Sequence, residues 1–101
     1  MKAVIADAEV ALVPMEALED TTLDDTDQRL LLALFSCCSF GTWRCQPTRQ
    51  QLTKRTRGMS KEGIQRGLGV LRTLGWLHLE PTNGNGMAYV LHIPPRLGGD
   101  Q

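Results

Sequence analysis

The sequence predicts a single α+β domain: three helices, one short extended piece and a C-terminal β-hairpin, behind an N-terminal arm. Three observations lead there. Two capping-box patterns each stand ahead of a segment with helical patterning. A turn containing Gly58 separates the second helix from the third by only two residues. Two strand-like stretches flank "PTNGNG", whose Asn and Gly residues accept positive φ. A chain of 101 residues suits one small domain with a modest core.

Residues 1–23 form the acidic arm. Its "AVIADAEVALVPMEAL" is apolar enough to make a strand or to pack on the domain, and Pro14 bars a long helix. Val10, Leu12 and Val13 mark it as the dimerisation element. In "DDTDQRLLLALFSCCSF", Asp25 followed three residues later by Gln28 predicts a capped helix start. Leu30, Leu31, Leu34, Phe35 and Cys38 then supply the apolar stripe, and Gly41 ends the helix. "TWRC" reads as extended. "PTRQQLTKRTRG" predicts a second helix with Thr48 as cap, Gln51 at the third helical position, Leu52 as the main buried contact and Gly58 as a left-handed close.

Ser60 caps a third helix from Lys61 to Leu74. At helical periodicity, Ile64, Leu68, Val70, Leu71 and Leu74 gather on one face, with Gly63 and Gly67 among them. Glycine inside a helix costs about 1 kcal/mol relative to alanine, so these two predict close approach to the preceding helices. Gly69 falls on the outer side with Lys61, Glu62, Gln65 and Arg72, and Arg66 lies at its edge. Gly75 ends the helix. "WLHLE" and "MAYVLHI" alternate as strands, and Pro94 with Pro95 stops the second. The domain proper is 24–94, and 95–101 reads as a flexible tail.

The formal net charge of zero conceals a division along the chain. Residues 1–28 set Lys2 against Asp7, Glu9, Glu16, Glu19, Asp20, Asp24, Asp25 and Asp27. Residues 29–75 set Arg29, Arg44, Arg49, Lys54, Arg55, Arg57, Lys61, Arg66 and Arg72 against Glu62 alone. Such asymmetry predicts a polyanion-binding centre behind an acidic leader, or two segments that neutralise each other within the fold.

Two helices joined by a tight glycine-containing turn are the helix-turn-helix signature. "PTRQQLTKRTRGMSKEGIQRGLGVLRTLGWLHLE", the "TNGNG" turn and "MAYVLHI" together resemble a winged helix-turn-helix domain over about residues 24–94. With its lead-in "VALVPMEALEDTTLDDTDQRLLLAL", the chain is similar to such domains in plasmid and phage replication proteins and small transcriptional regulators. The resemblance implies sequence-specific binding of double-stranded DNA by a repressor or origin-binding factor of a mobile element. It also departs from the family. Gly63 stands where Thr or Ser is usual and Gly67 where Ala is usual, implying a recognition helix either looser or more tightly docked.

In that arrangement the helix from Lys61 enters the major groove. Lys61, Gln65 and Arg66, with Glu62 beside them, face base edges and phosphates; Gln suits adenine, and Lys or Arg suits guanine. Thr48, Arg49 and Ser60 stand at helix N-termini, which suit phosphate. Arg55 and Arg57 flank the turn and add attraction indifferent to sequence. Asn83 and Asn85 form a wing tip without Lys or Arg, so its contribution is weak. A lone domain of this size on one half-site calls for a homodimer or a cooperative oligomer on repeated sites.

Other chemistries find little footing. "GLG" at Gly67–Gly69 follows no strand and is no phosphate loop. Cys37, Cys38 and Cys45 show no disulfide-framework spacing and read as small buried hydrophobes rather than metal ligands. His78 and His92 lie on the two hairpin strands, where they can approach each other as surface or packing residues. Trp43, Trp76 and Tyr89 are too scattered for a base-stacking platform. No catalytic set with a pocket emerges, so the expectation is a non-enzyme without cofactor or metal. The opening "MKAVIADAEVALVPME" does not read as a signal peptide, and the expected location is cytoplasmic. The rival class is a protein-interaction module whose acidic arm serves as ligand or DNA mimic.

Overall fold

A computed structural model of the chain describes residues 2–6, 9–38, 42–84 and 86–98. The expectations placed on Gly41, Asn85 and residues 99–101 lie outside them.

The backbone of the arm forms an antiparallel hairpin, β1 (Lys2–Ala6) and β2 (Glu9–Val13), with Lys2 opposite Val13 and Ala6 opposite Glu9. Proline cannot donate to a ladder, so Pro14 stops the strand; it stands as N-cap of the short helix α1 (Met15–Glu19). Val13, Pro14 and Ala17 are buried. Val13, one of the three residues expected to serve a dimer, packs in this chain's own core, and the side chains of Val10 and Leu12 lie outside the described residues.

Helix α2 (Asp25–Ser36) starts one residue earlier than its capping box predicted. Asp24 is the cap, its carboxylate accepting from the Asp27 amide at 2.7 Å. Gln28 does not close a box. Its Nε2 donates to the carbonyls of Ala17 and Leu18, satisfying orphan acceptors at the end of α1. Leu30, Leu31, Ala33, Leu34 and Phe35 are buried, so α2 is the central helix of the core.

After β3 (Arg44–Cys45), α3 (Arg49–Arg55) opens with the predicted capping box of Thr48 and Gln51, both bonds present. Leu52 is buried as expected, and Thr56 closes the helix by donating its hydroxyl to the Leu52 carbonyl at 2.6 Å. Gly58 is left-handed at φ 87, and Arg57 before it is left-handed too, at φ 61. Helix α4 (Lys61–Thr73) follows after residues 56–60, a longer turn than the two residues expected because α3 ends at Arg55, and the Ser60 hydroxyl accepts from the Gly63 amide.

The glycines of α4 divide three ways. A Cβ on Gly67 would lie 2.5 Å from Leu30 Cδ2, so the missing side chain is what seats α4 on α2. Gly63 was expected to meet the preceding helices as well. A Cβ there would instead meet Ser60 Oγ at 3.1 Å and Met59 Cγ at 3.2 Å, both in its own N-terminal turn. Gly69 faces open space.

Strands β4 (Leu77–Pro81) and β5 (Met87–Leu91) make the hairpin, and β3 pairs with β5, giving an antiparallel sheet in the order β3-β5-β4. The described residues thus form an α+β domain of four α-helices with this three-stranded sheet and the separate N-terminal hairpin. Among them, no helix is long and apolar enough to cross a membrane.

The described part of the expected tail, residues 95–98, is bonded to the domain. Pro95–Leu97 forms a 3₁₀ turn, and Arg96 grips Asp20 through two nitrogens at 3.1 and 2.7 Å. Asp20 is buried, also accepting from Trp76 Nε1 at 2.8 Å and from the amide and hydroxyl of Thr22. Arg96 foremost, with the Trp76 and Thr22 donors, holds the Asp20 carboxyl far below the usual carboxylate range against the opposing effect of burial. One buried carboxylate thereby joins the arm, the end of α4 and the C-terminal turn.

Candidate nucleic-acid interface

The Thr48 and Ser60 caps start α3 and α4, and the side chain of Arg49 links the two starts, its Nη1 donating to the Lys61 carbonyl at 3.4 Å. From there the outer face of α4 runs through Lys61, Gln65, Gly69 and Arg72, with Arg66 alongside. All five are exposed. Among the described residues, the side chains of Lys61, Gln65, Arg66 and Arg72 form no hydrogen bond or ion pair. The open space over Gly69 leaves a step without a side chain in the middle of this row, where a second surface can approach the helix backbone. Glu62 is exposed at its first turn.

The structure brings together Arg49, Ser60, Lys61, Gln65 and Arg66 at the start of α4, with Thr48 at the adjoining start of α3. Each capping hydroxyl accepts from a backbone amide and still has its own proton to donate. Arg57 is exposed in the turn. Arg55 has a different occupation: its Nη1 donates to the Ser36 carbonyl at 3.1 Å and hydroxyl at 2.9 Å, strutting α3 against the end of α2. Asn83 is exposed at the hairpin turn.

One basic residue at the hairpin was missed. Arg44 reaches from β3 to the hairpin base, pairing with Glu80 and donating to the Pro81 carbonyl at 3.4 Å. With Gln46, Pro81, Thr82, Asn83 and Gly84 it lines an open groove of about 430 Å³. Only the pairing of β3 with β5 brings Arg44 there, and a two-residue strand gives almost no periodic signal.

His78 and His92 do approach, ring centroids 5.1 Å apart, and His78 Nε2 lies 2.9 Å from Glu80 Oε2. His78 foremost, then Arg44, holds the Glu80 carboxyl below its usual value. Burial, then the neighbouring His78, pushes His92 down. Trp43 and Trp76 each meet Phe35 edge-on, at 5.2 and 6.3 Å, and Trp76 is fully buried, so both are packing residues. Among the described residues, no group of three His, Cys, Asp or Glu side chains is placed to hold a metal.

Asp20 and Asp24 of the acidic leader act away from the basic helices α3 and α4. Asp20 binds Arg96, Asp24 caps α2, and burial foremost raises the Asp27 carboxyl. Among the described residues, no ion pair joins residues 9–27 to α3 or α4. No protein-family model, curated protein or solved structure matches the chain.

Proposed function

We propose that residues 24–94 are a winged helix-turn-helix domain that binds double-stranded DNA sequence-specifically. Helix α4 enters the major groove, and the β4–β5 hairpin is the wing. The order helix, strand, helix, tight turn, helix, hairpin supports the fold, as does the sheet order β3-β5-β4.

The outer face of α4 carries the functional reading. Lys61, Gln65, Arg66 and Arg72 are exposed and unpaired on a helix whose opposite face is fixed by Leu30 against Gly67. A cation without an intramolecular partner has its interaction with phosphate undiminished, and Gln65 offers both a donor and an acceptor to a base edge. Arg49 and Arg57 add contacts indifferent to sequence. Arg55, held by Ser36, serves the fold first. The biological role in keeping with this is a repressor or origin-binding factor of a plasmid, phage or other mobile element, acting as a dimer or cooperative oligomer on repeated sites.

Titration of labelled duplex DNA across a series of salt concentrations tests the reading. Each neutralised phosphate releases counterions, so the logarithm of the affinity should fall linearly with the logarithm of salt concentration. Affinity for duplex that is absent, or indifferent to salt, contradicts it and favours a protein partner.

A further inference from the structure

We propose that Cys38 and Cys45 are a redox-active dithiol that closes to a disulfide when a peroxide accepts its two electrons. The site lies where the end of α2 meets β3. Both thiols converge on one atom, the Leu34 carbonyl oxygen, with Cys38 Sγ at 3.5 Å and Cys45 Sγ at 3.7 Å. That oxygen already accepts the Cys37 amide at 3.0 Å. A carbonyl oxygen has two lone pairs, so three donors oversubscribe it. The two sulfurs thus face one shared acceptor at the end of α2.

The two thiols do not ionise alike: the neighbouring Cys38 lowers Cys45, while Cys45 foremost, then burial, raises Cys38. Lowering one thiol of a pair favours its nucleophilic thiolate, and a second sulfur beside it can resolve the product. Cys45 is buried, but Cys38 is only half-buried, so a small oxidant reaches the pair from the Cys38 side.

The chemistry balances with a peroxide as sole co-reactant. One thiol gives its proton to solvent, its thiolate attacks a peroxide oxygen, the O–O bond breaks, and a sulfenic acid forms as hydroxide leaves and takes a proton back from solvent to become water. The second sulfur attacks the sulfenic sulfur. Its proton passes to the departing hydroxyl, water leaves, and the S–S bond closes at about 2.0 Å. Two thiols lose two electrons, and one hydrogen peroxide becomes two waters. The bond would fasten α2 to the sheet beside Ser36, the residue Arg55 holds from α3. This inference does not depend on DNA binding.

The sequence supplies a convenient assay. Arg44 lies between the two cysteines, and trypsin cleaving after Arg29, Arg44 and Arg49 separates residues 30–44 from 45–49. The full-length folded chain, treated with a few equivalents of hydrogen peroxide, should lose two hydrogen masses, and subsequent alkylation should add one group rather than three. Its non-reducing digest should contain those two peptides joined, with fragmentation assigning the bond to Cys38. Cys37→Ser should preserve the linkage. Cys38→Ser and Cys45→Ser should each abolish it, and melting curves show whether each variant is folded. A bond within 30–44 alone, a linkage through Cys37, or unlinked peptides with an over-oxidised cysteine would each overturn the proposal, and the wild-type digest alone decides among them.

Discussion

Where the arm meets the C-terminal turn, Arg96 is held by Asp20 through two nitrogens, and the same carboxylate takes the indole proton of Trp76. On the outer face of α4, Arg66 is exposed, and no described residue accepts a bond from it. The two arginines carry the same group to opposite ends. A carboxylate taken out of water must be repaid by several donors at good geometry, so Asp20, Arg96, Trp76 and Thr22 belong to stability. Cations left in water cost the fold almost nothing and stay available to an outside partner. On the proposed function, stability and recognition would occupy separate surfaces, so substitutions should divide between melting temperature and DNA affinity.

The largest effect belongs to the buried carboxylate. Asp20→Ala leaves the Trp76 indole N–H without its acceptor and Arg96 without its partner, and should destabilise the fold by about 3 kcal/mol in thermal or urea unfolding. At temperatures where the variant is folded, its DNA affinity should match wild type. Acid gives a second view of the same bond. The folded Asp20 pKa lies below its ordinary value of 3.8, so its contribution is complete above that value and is lost as the pH falls toward the folded one. The stability gap between wild type and Asp20→Asn should therefore narrow below pH 3.8.

Next comes the inner face of α4. Gly67→Leu forces a side chain into Leu30 and should cost on the order of 1–3 kcal/mol of stability through overpacking. A variant at least as stable as wild type, with intact binding, would refute the account of how α4 is seated. Comparable in size but different in kind is Gln65→Ala. It should weaken binding to a preferred site by about 1–3 kcal/mol and relax one base position, whereas Arg57→Ala should weaken all duplexes alike. Neither should move the melting temperature appreciably. The smallest change is Gly69→Ala, which adds a methyl into open space and should stabilise the helix by about 0.5–1 kcal/mol. If binding also weakens, the gap over Gly69 is used for close approach of the DNA.

What could be read from the sequence was mostly local chemistry. The Thr48–Gln51 box, the Ser60 cap, buried Leu52 and left-handed Gly58 each depend on residues a few positions apart. The cap of α2 slipped by one because Asp24 and Asp25 are the same residue type, and only the extended backbone of Asp24 distinguishes them. Contacts distant in sequence stayed hidden. Asp20 and Arg96 are 76 residues apart, and nothing in "PPRLGGDQ" signals a partner in the arm. Arg55 looked like any other arginine beside the turn because its acceptor, Ser36, lies on another helix. Cys38 and Cys45 are brought together only by the fold of β3 against α2. The α4 row was legible because helical periodicity places Lys61 and Gln65 on one side whatever the helix packs against.

The central claim is that α4 reads base sequence, and selection of bound duplexes from random DNA tests it most directly. Wild type and Gln65→Ala would be run in parallel at two salt concentrations. The account predicts an enriched motif for wild type, as an inverted or direct repeat, surviving at the higher salt, and the loss of preference at one position in Gln65→Ala. No enrichment by wild type at either salt, or identical motifs from both proteins, would contradict it.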